Sequence, residues 1–192
     1  DMAEDSVVAI WLTITEHFLN LYYENKISLK QQRAFRIIDL WKNLGIEIDE
    51  EKALLIYQQY HYHFIHSCNL FPETRSVLEK LTGHHLGIIS NGVYTDQITK
   101  LRNNQIDHFF KDCIISEKIG FSKPRKEIFD FAAQQVNAPL EKCIYIGNSY
   151  ELDYIGSLNS GMKAIWLNYK RTEKHPDAEN IYTLAELIDY LY

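Results

Sequence analysis

Three short segments of the 192-residue chain carry side chains that could act together on an anion. Ser90-Asn91-Gly92 offers a hydroxyl, a carboxamide and a turn with free amides. Gly120-Phe121-Ser122-Lys123-Pro124 offers an amine, and Gly147-Asn148-Ser149 with Asp153 offers a carboxamide and a carboxylate. Hydroxyl and backbone N–H groups donate to phosphate oxygens, a lysine offsets their charge, and oxygen ligands hold Mg2+. Gathered at one place, the set suits a phosphoryl group with a divalent cation. Singly the segments say little, since Ser-Asn-Gly is an ordinary turn and Lys-Pro an ordinary dipeptide.

Whether they meet depends on the elements that carry them. From residue 71 onward, brief apolar runs alternate with helical periodicity. The runs Leu86–Ile89, Cys113–Ile115, Cys143–Ile146 and Ala164–Leu167 read as buried strands. Helices are predicted over Glu73–Leu81, Tyr94–Asn103, Lys126–Val136, Asp153–Ser160 and Leu184–Leu191. Apolar strands alternating with helices define an α/β fold, a parallel sheet covered on both faces. Ligands of such sheets bind beyond the carboxyl ends of the strands. All three segments follow strand ends, so they converge on one edge.

The first seventy residues differ. Val7, Ile10, Trp11, Ile14, Phe18, Leu21 and Tyr22 recur at helical spacing. Ser28 with Gln31 forms a capping box opening a second helix that stops at Gly45, and Asp49 opens a third. Residues 1–70 therefore read as an all-helical unit and 71–192 as the α/β core.

Order and spacing of the segments resemble motifs two, three and four of the haloacid dehalogenase-like (HAD) hydrolase superfamily. The resemblance is carried by Ile88-Ile89-Ser90-Asn91-Gly92, by Gly120 to Lys123-Pro124 and on to Ile128-Phe129, and by Ile146-Gly147-Asn148-Ser149 through Asp153 and Gly156 to Gly161-Met162. It implies a Rossmann-like three-layer core with a helical cap, here residues 1–70, that excludes bulk water and selects the substrate. In catalysis Ser90 would hydrogen-bond the transferring phosphoryl, Asn91 or the Gly92 amide would orient it, and Lys123 would offset charge. Asp153 would hold Mg2+ with Asn148, which stands where the commonest phosphatase pattern has an aspartate. The implied activity is a Mg2+-dependent phosphohydrolase for a small phosphorylated metabolite. Segment Tyr22–Ile27 resembles the pyrimidine 5′-nucleotidase subgroup, which brings nucleoside monophosphates among the candidates. A 2-haloacid dehalogenase shares Ser90, Lys123 and Asp153 without a metal, and a non-catalytic ligand-binding relative is the third reading.

One family element is missing from the sequence. Catalysis in the superfamily runs through an aspartate nucleophile in an Asp-x-Asp motif ending the central strand, and no Asp-x-Asp occurs here. A parallel sheet without its middle strand would leave two rows of N–H and C=O groups unpaired, at about 1–3 kcal/mol per buried group. The expectation is an upstream segment of roughly 20–30 residues carrying that strand and the nucleophile. A chain beginning at Asp1 is then expected to be inactive alone.

Bulk properties exclude other classes. Twenty Lys and Arg against twenty-six Asp and Glu leave a net charge of −6, without the basic stripe of a nucleic-acid surface. No apolar run approaches a membrane span. Three cysteines without a CxxC pair fit a reducing, cytoplasmic setting, with Cys113 and Cys143 read as buried thiols. His61, His63 and His66 lack the i, i+4 spacing of a zinc helix. Among Tyr57, Tyr60, Tyr62 and Phe64, half are assigned to the core. Arg125 and Lys126 read as surface residues, Ser149 as a helix cap and Asp96 as a helix-start residue.

Overall fold

The computed structural model describes residues 4–171 and 175–191. The chain divides into two compact units, one ending at Ser67 and the other starting at Cys68.

The first unit holds α1 (Glu4–Tyr23), α2 (Leu29–Asn43) and α3 (Glu50–His66). Local chemistry starts the last two. At α2 the Gln31 N–H donates to Ser28 Oγ (3.2 Å) and the Ser28 N–H to Gln31 Oε1 (2.9 Å), closing the capping box. At α3 the Lys52 N–H donates to Asp49 Oδ1 at 2.8 Å. Ala34, Ile37, Ala53 and Tyr57 form the buried centre, with Trp11 and Tyr60 packed against it. Of the four aromatics on α3, Tyr57 is buried and Tyr60 half-buried, whereas Tyr62 and Phe64 are exposed. Arg36 is buried under the Trp11 ring, 4.4 Å from its centroid, and donates to Thr15 Oγ1 at 2.9 Å.

In the second unit α4 (Thr74–Lys80) precedes β1 (Gly87–Ser90), α5 (Tyr94–Asn103), β2 (Asp112–Ile115) and the short α6 (Ser116–Ile119). Then come α7 (Lys126–Gln135), β3 (Ile144–Gly147), α8 (Gly156–Ser160), β4 (Lys163–Leu167), β5 (Asn180–Ile181) and α9 (Glu186–Leu191). Helix α6 and the two-residue β5 are too short to leave a periodic signature in the sequence. A second difference lies ahead of α8. The chain turns helical already at Tyr150, as a π-helical stretch over Tyr150–Ile155, where the sequence predicts an α-helix from Asp153.

Every strand pair is parallel, as the apolar runs require. Ile88 lies beside Cys113, Tyr145 beside Ala164, and Trp166 beside Asn180. Strand β4 alternates cleanly. Ile165 and Leu167 join Val77, Leu81, Ile181 and Leu187 on one face, while Ala164 and Trp166 meet Tyr154 and Ala178 on the other. Helix α7 contributes Ile128, Phe129, Ala132 and Ala133 to a further cluster with Ile114 and Met162.

The strands form two sheets, β2–β1 and β3–β4–β5. Among the described residues no strand pairs with the second edge of β1 or of β3. Both edges border one cavity of about 330 Å3, walled by Ile88, Ile89, Ile144, Tyr145, Ile146 and Met162. Burial registers the gap. Ala164 to Leu167, on a strand paired along both edges, are buried, whereas the isoleucines of β1 and β3 are only half-buried.

Cys113 and Cys143 are half-buried rather than enclosed, Cys143 because it lines that cavity. Burial still raises both thiols above the ordinary value. Among the described residues no helix is long and apolar enough to cross a membrane.

Phe129 is fully buried, so Phe129→Ala is expected to cost about 3–5 kcal/mol in urea denaturation. Leu12→Ala, at a 60% exposed position of α1, should stay within about 0.5 kcal/mol and serves as the control.

Candidate functional site

The centre of the site is a buried ion pair. Lys123 Nζ lies 2.5 Å from Asp153 Oδ1, with the two side chains only 12% and 6% exposed. Removing either partner of such a pair costs about 3–5 kcal/mol, because the survivor keeps a buried, uncompensated charge. Both are therefore held firmly.

Asp153 is fixed by the turn that bears it. The Ser149 carbonyl accepts from both the Asp153 N–H (3.0 Å) and the Tyr154 N–H (3.2 Å), the widened π geometry. The same residue's amide closes the loop from the other side, donating to Asp153 Oδ2 at 2.9 Å. Ser149 Oγ accepts the Leu152 N–H (3.2 Å), so Ser149 caps this turn. Farther on, Ser157 Oγ donates to the Asp153 carbonyl at 2.6 Å. Gly147 permits the approach: a Cβ there would sit 2.4 Å from Asp153 Cβ and Cγ. Gly156 plays the same part toward Lys123's loop, since a Cβ would lie 2.9 Å from Pro124 Cβ and 3.1 Å from its Cα.

Lys123 is held through its backbone by Asn91. The Asn91 carboxamide donates from Nδ2 to the Lys123 carbonyl (3.0 Å) and accepts the Lys123 N–H at Oδ1 (2.8 Å). That reciprocal pair ties the loop after β1 to the loop before α7. The role expected of Asn91 changes accordingly: its side chain braces lysine rather than facing a ligand. Gly92 also departs from the free-amide turn read in the sequence. Its N–H donates to Ser116 Oγ at 3.0 Å, and the Tyr94 N–H donates to Glu117 Oε2 at 2.9 Å. Helix α6, which had no sequence signal, supplies both acceptors. Ser90 ends β1 and its hydroxyl donates only a long 3.3 Å contact to the Asn91 carbonyl, a bond readily exchanged for a better acceptor.

Asn148 is exposed on the loop after β3, where its carbonyl accepts from Trp166 Nε1 at 3.1 Å. Beside it opens a cavity of about 350 Å3 walled in part by Trp166, Asn168, Lys170 and His175. Arg125 and Lys126 pair with Glu127 and Asp130 at the exposed start of α7. Asp96 lies in the first turn of α5.

Tyr145 escaped the sequence reading, which counted it with the apolar residues of β3. Its hydroxyl accepts from Lys123 Nζ at 2.9 Å and lies 3.3 Å from Asp153 Oδ1. Burial, then the Asp153 charge, holds this phenol well above its usual range, so it stays protonated. Strand alternation could have found it, because Tyr145 lies two residues before Gly147 and on the same face.

Comparison with known proteins gives the family. The haloacid dehalogenase-like hydrolase model matches residues 4–167. The chain belongs to that family. It is 33% identical over 177 residues to the glyceraldehyde 3-phosphate phosphatase of Methanothermobacter thermautotrophicus, covering 83% of this chain and 78% of that protein. Pyrimidine 5′-nucleotidase YjjG of Escherichia coli is 31% identical over 122 residues, 62% of this chain and 54% of that protein. Among solved structures, the HAD-hydrolase YfnB of Bacillus subtilis, bound to magnesium, superposes with a TM-score of 0.85 at 27% identity, covering 100% of this chain and 84% of that one.

The reciprocal Asn91–Lys123 bonds give a direct test. Asn91→Ala strands a half-buried N–H and C=O and is expected to lower stability by about 2 kcal/mol, read by denaturant titration. Asn91→Asp, which keeps the acceptor but sets a carboxylate oxygen against the Lys123 carbonyl, should lose stability as well.

Proposed function

We propose that this chain forms the greater part of a Mg2+-dependent phosphohydrolase acting on small phosphomonoesters through an aspartyl-phosphate. The observation that carries the reading is the buried Lys123–Asp153 pair standing, with Ser90, at the carboxyl ends of two strands whose facing edges are unpaired. A central strand seated between β1 and β3 would pair both edges. Its carboxyl end would bring an aspartate to Lys123, and residues 1–192 contain no Asp-x-Asp that could do so. In this reading the strand and nucleophile precede Asp1.

With the nucleophile and the acid supplied by that strand, the chemistry is turnover through an acyl phosphate. A carboxylate oxygen attacks phosphorus, the P–O bond to the leaving alcohol breaks, and a neighbouring acid protonates that oxygen. Water then attacks the acyl phosphate and frees inorganic phosphate. Lys123 holds a fixed positive charge where the attacking carboxylate and the phosphoryl oxygens would otherwise repel, in a site with little water to screen it. Ser90 exchanges its long contact for a hydrogen bond to a phosphoryl oxygen.

The donor set suits Mg2+, which takes one or two carboxylates and completes its shell with water and substrate phosphate. Asp153 Oδ2 keeps a lone pair after accepting the Ser149 N–H, and Asn148 is exposed on the same loop. These two residues would hold the ion, which supplies charge stabilisation at the phosphoryl oxygens. Asn148 contributes a neutral carbonyl, so the site leans on the remaining carboxylates. The substrate class is supported by relatives named as phosphatases of glyceraldehyde 3-phosphate and of pyrimidine nucleotides.

In an aryl-phosphate assay the natural chain carrying the proposed upstream strand is expected to be active with Mg2+ and silent in a chelator. Lys123→Arg, which keeps the charge but moves it, should lose at least about 100-fold in kcat. A chain starting at Asp1 should be inactive. Halide release from a 2-haloacid without metal, or no turnover by the natural chain, would contradict the proposal.

A further inference from the structure

An ammonium has three N–H bonds, and a buried one is useful only if they point the right way. Asp153 Oδ1 takes one of the Lys123 protons at 2.5 Å. The second goes to Tyr145 Oη at 2.9 Å. That oxygen can accept because its own proton is engaged elsewhere, on the Ile89 carbonyl at 3.0 Å. The phenol is itself immobilised. The Phe129 ring meets it edge-on, 5.3 Å away at 89°, and Phe129 is fully buried. Tyr145 projects on the face shared with Gly147, the face that Asp153 covers.

We propose that Tyr145 is the positioning residue for Lys123. Its hydroxyl and Asp153 fix two of the three N–H directions, and the third is left for the phosphoryl oxygens and the attacking carboxylate. This rests on the phosphohydrolase reading for its purpose, though not for its geometry. A strand paired with β1 would use one lone pair of the Ile89 carbonyl, and the second still accepts the phenol proton, so the lone pair facing Lys123 is unchanged. Tyr145 acts through lysine in either arrangement and touches no substrate.

Tyr145→Phe removes the hydroxyl and keeps the ring against Phe129. In the natural chain with Mg2+ and an aryl phosphate, kcat is expected to fall about tenfold, the effect of one well-aimed hydrogen bond, with KM within about twofold. Thermal unfolding of the variant verifies that it is folded. A readout independent of turnover is the Nζ resonance of Lys123 in 15N-lysine-labelled protein, assigned by its loss in Lys123→Arg. Tyr145→Phe should shift that resonance and speed exchange of its protons. An unmoved resonance overturns the proposal whatever happens to kcat, and an unchanged kcat in an active enzyme overturns it too. If the natural chain hydrolyses no phosphomonoester, the functional reading fails and the resonance alone decides Tyr145.

Discussion

A parallel strand has two edges, and each must find partners for its N–H and C=O groups. Most features of the second unit follow from this constraint. Strand β4 meets it twice, pairing with β3 and β5, and its residues from Ala164 to Leu167 are buried. Among the described residues strands β1 and β3 meet it once, and their isoleucines stay half-buried around a shared cavity. Each unpaired group that an apolar surround shields from water costs about 1–3 kcal/mol. The gap is thus the place in the molecule where an added strand gains most, and it ends at the proposed phosphoryl site.

Around that end, one ion pair sets the remaining geometry. Lys123 comes from the loop before α7 and Asp153 from the π-helical stretch after β3, and each is held by several bonds besides the one between them. Asn91 grips the lysine backbone, while Ser149 and Ser157 hold the aspartate. Two glycines keep the space clear, Gly147 under Asp153 and Gly156 beside Pro124. The braces cost the loops conformational freedom before any ligand arrives, which is the condition for a charge to act without reorganising. Ser149 meets Asp153 twice, its carbonyl accepting the Asp153 N–H and its own N–H donating to Asp153 Oδ2, while the π-type bond runs from the Tyr154 N–H to the same carbonyl.

Much of this was legible from residue types and spacing. Short apolar runs between helical periods mark the parallel strands, and Ser28 with Gln31 marks a helix start that the structure reproduces atom for atom. Ser90, Lys123 and Asp153 could be picked out because they follow strand ends in an order and spacing that resemble the family's motifs. What escaped depends on contacts between distant segments. Asn91 looked like a ligand-facing carboxamide, but its partner lies thirty-two residues away on another loop. Gly92 looked free because helix α6, with its Ser116 acceptor, is four residues long and has no period to detect. Tyr145 looked like core because its ring is core; only the hydroxyl belongs to the site.

Hydrogen exchange tests the central constraint most directly. The amides to follow are those of Gly87–Ser90 and Ile144–Gly147 that point away from β2 and β4. In a chain starting at Asp1 they are expected to exchange at close to unprotected rates, while the Ile165 and Trp166 region of β4 stays protected. In a chain extended by the proposed central strand, the same amides are expected to slow to the rate of β4. Equal protection in both chains would contradict the account, since the edges of β1 and β3 would then be paired without any further strand.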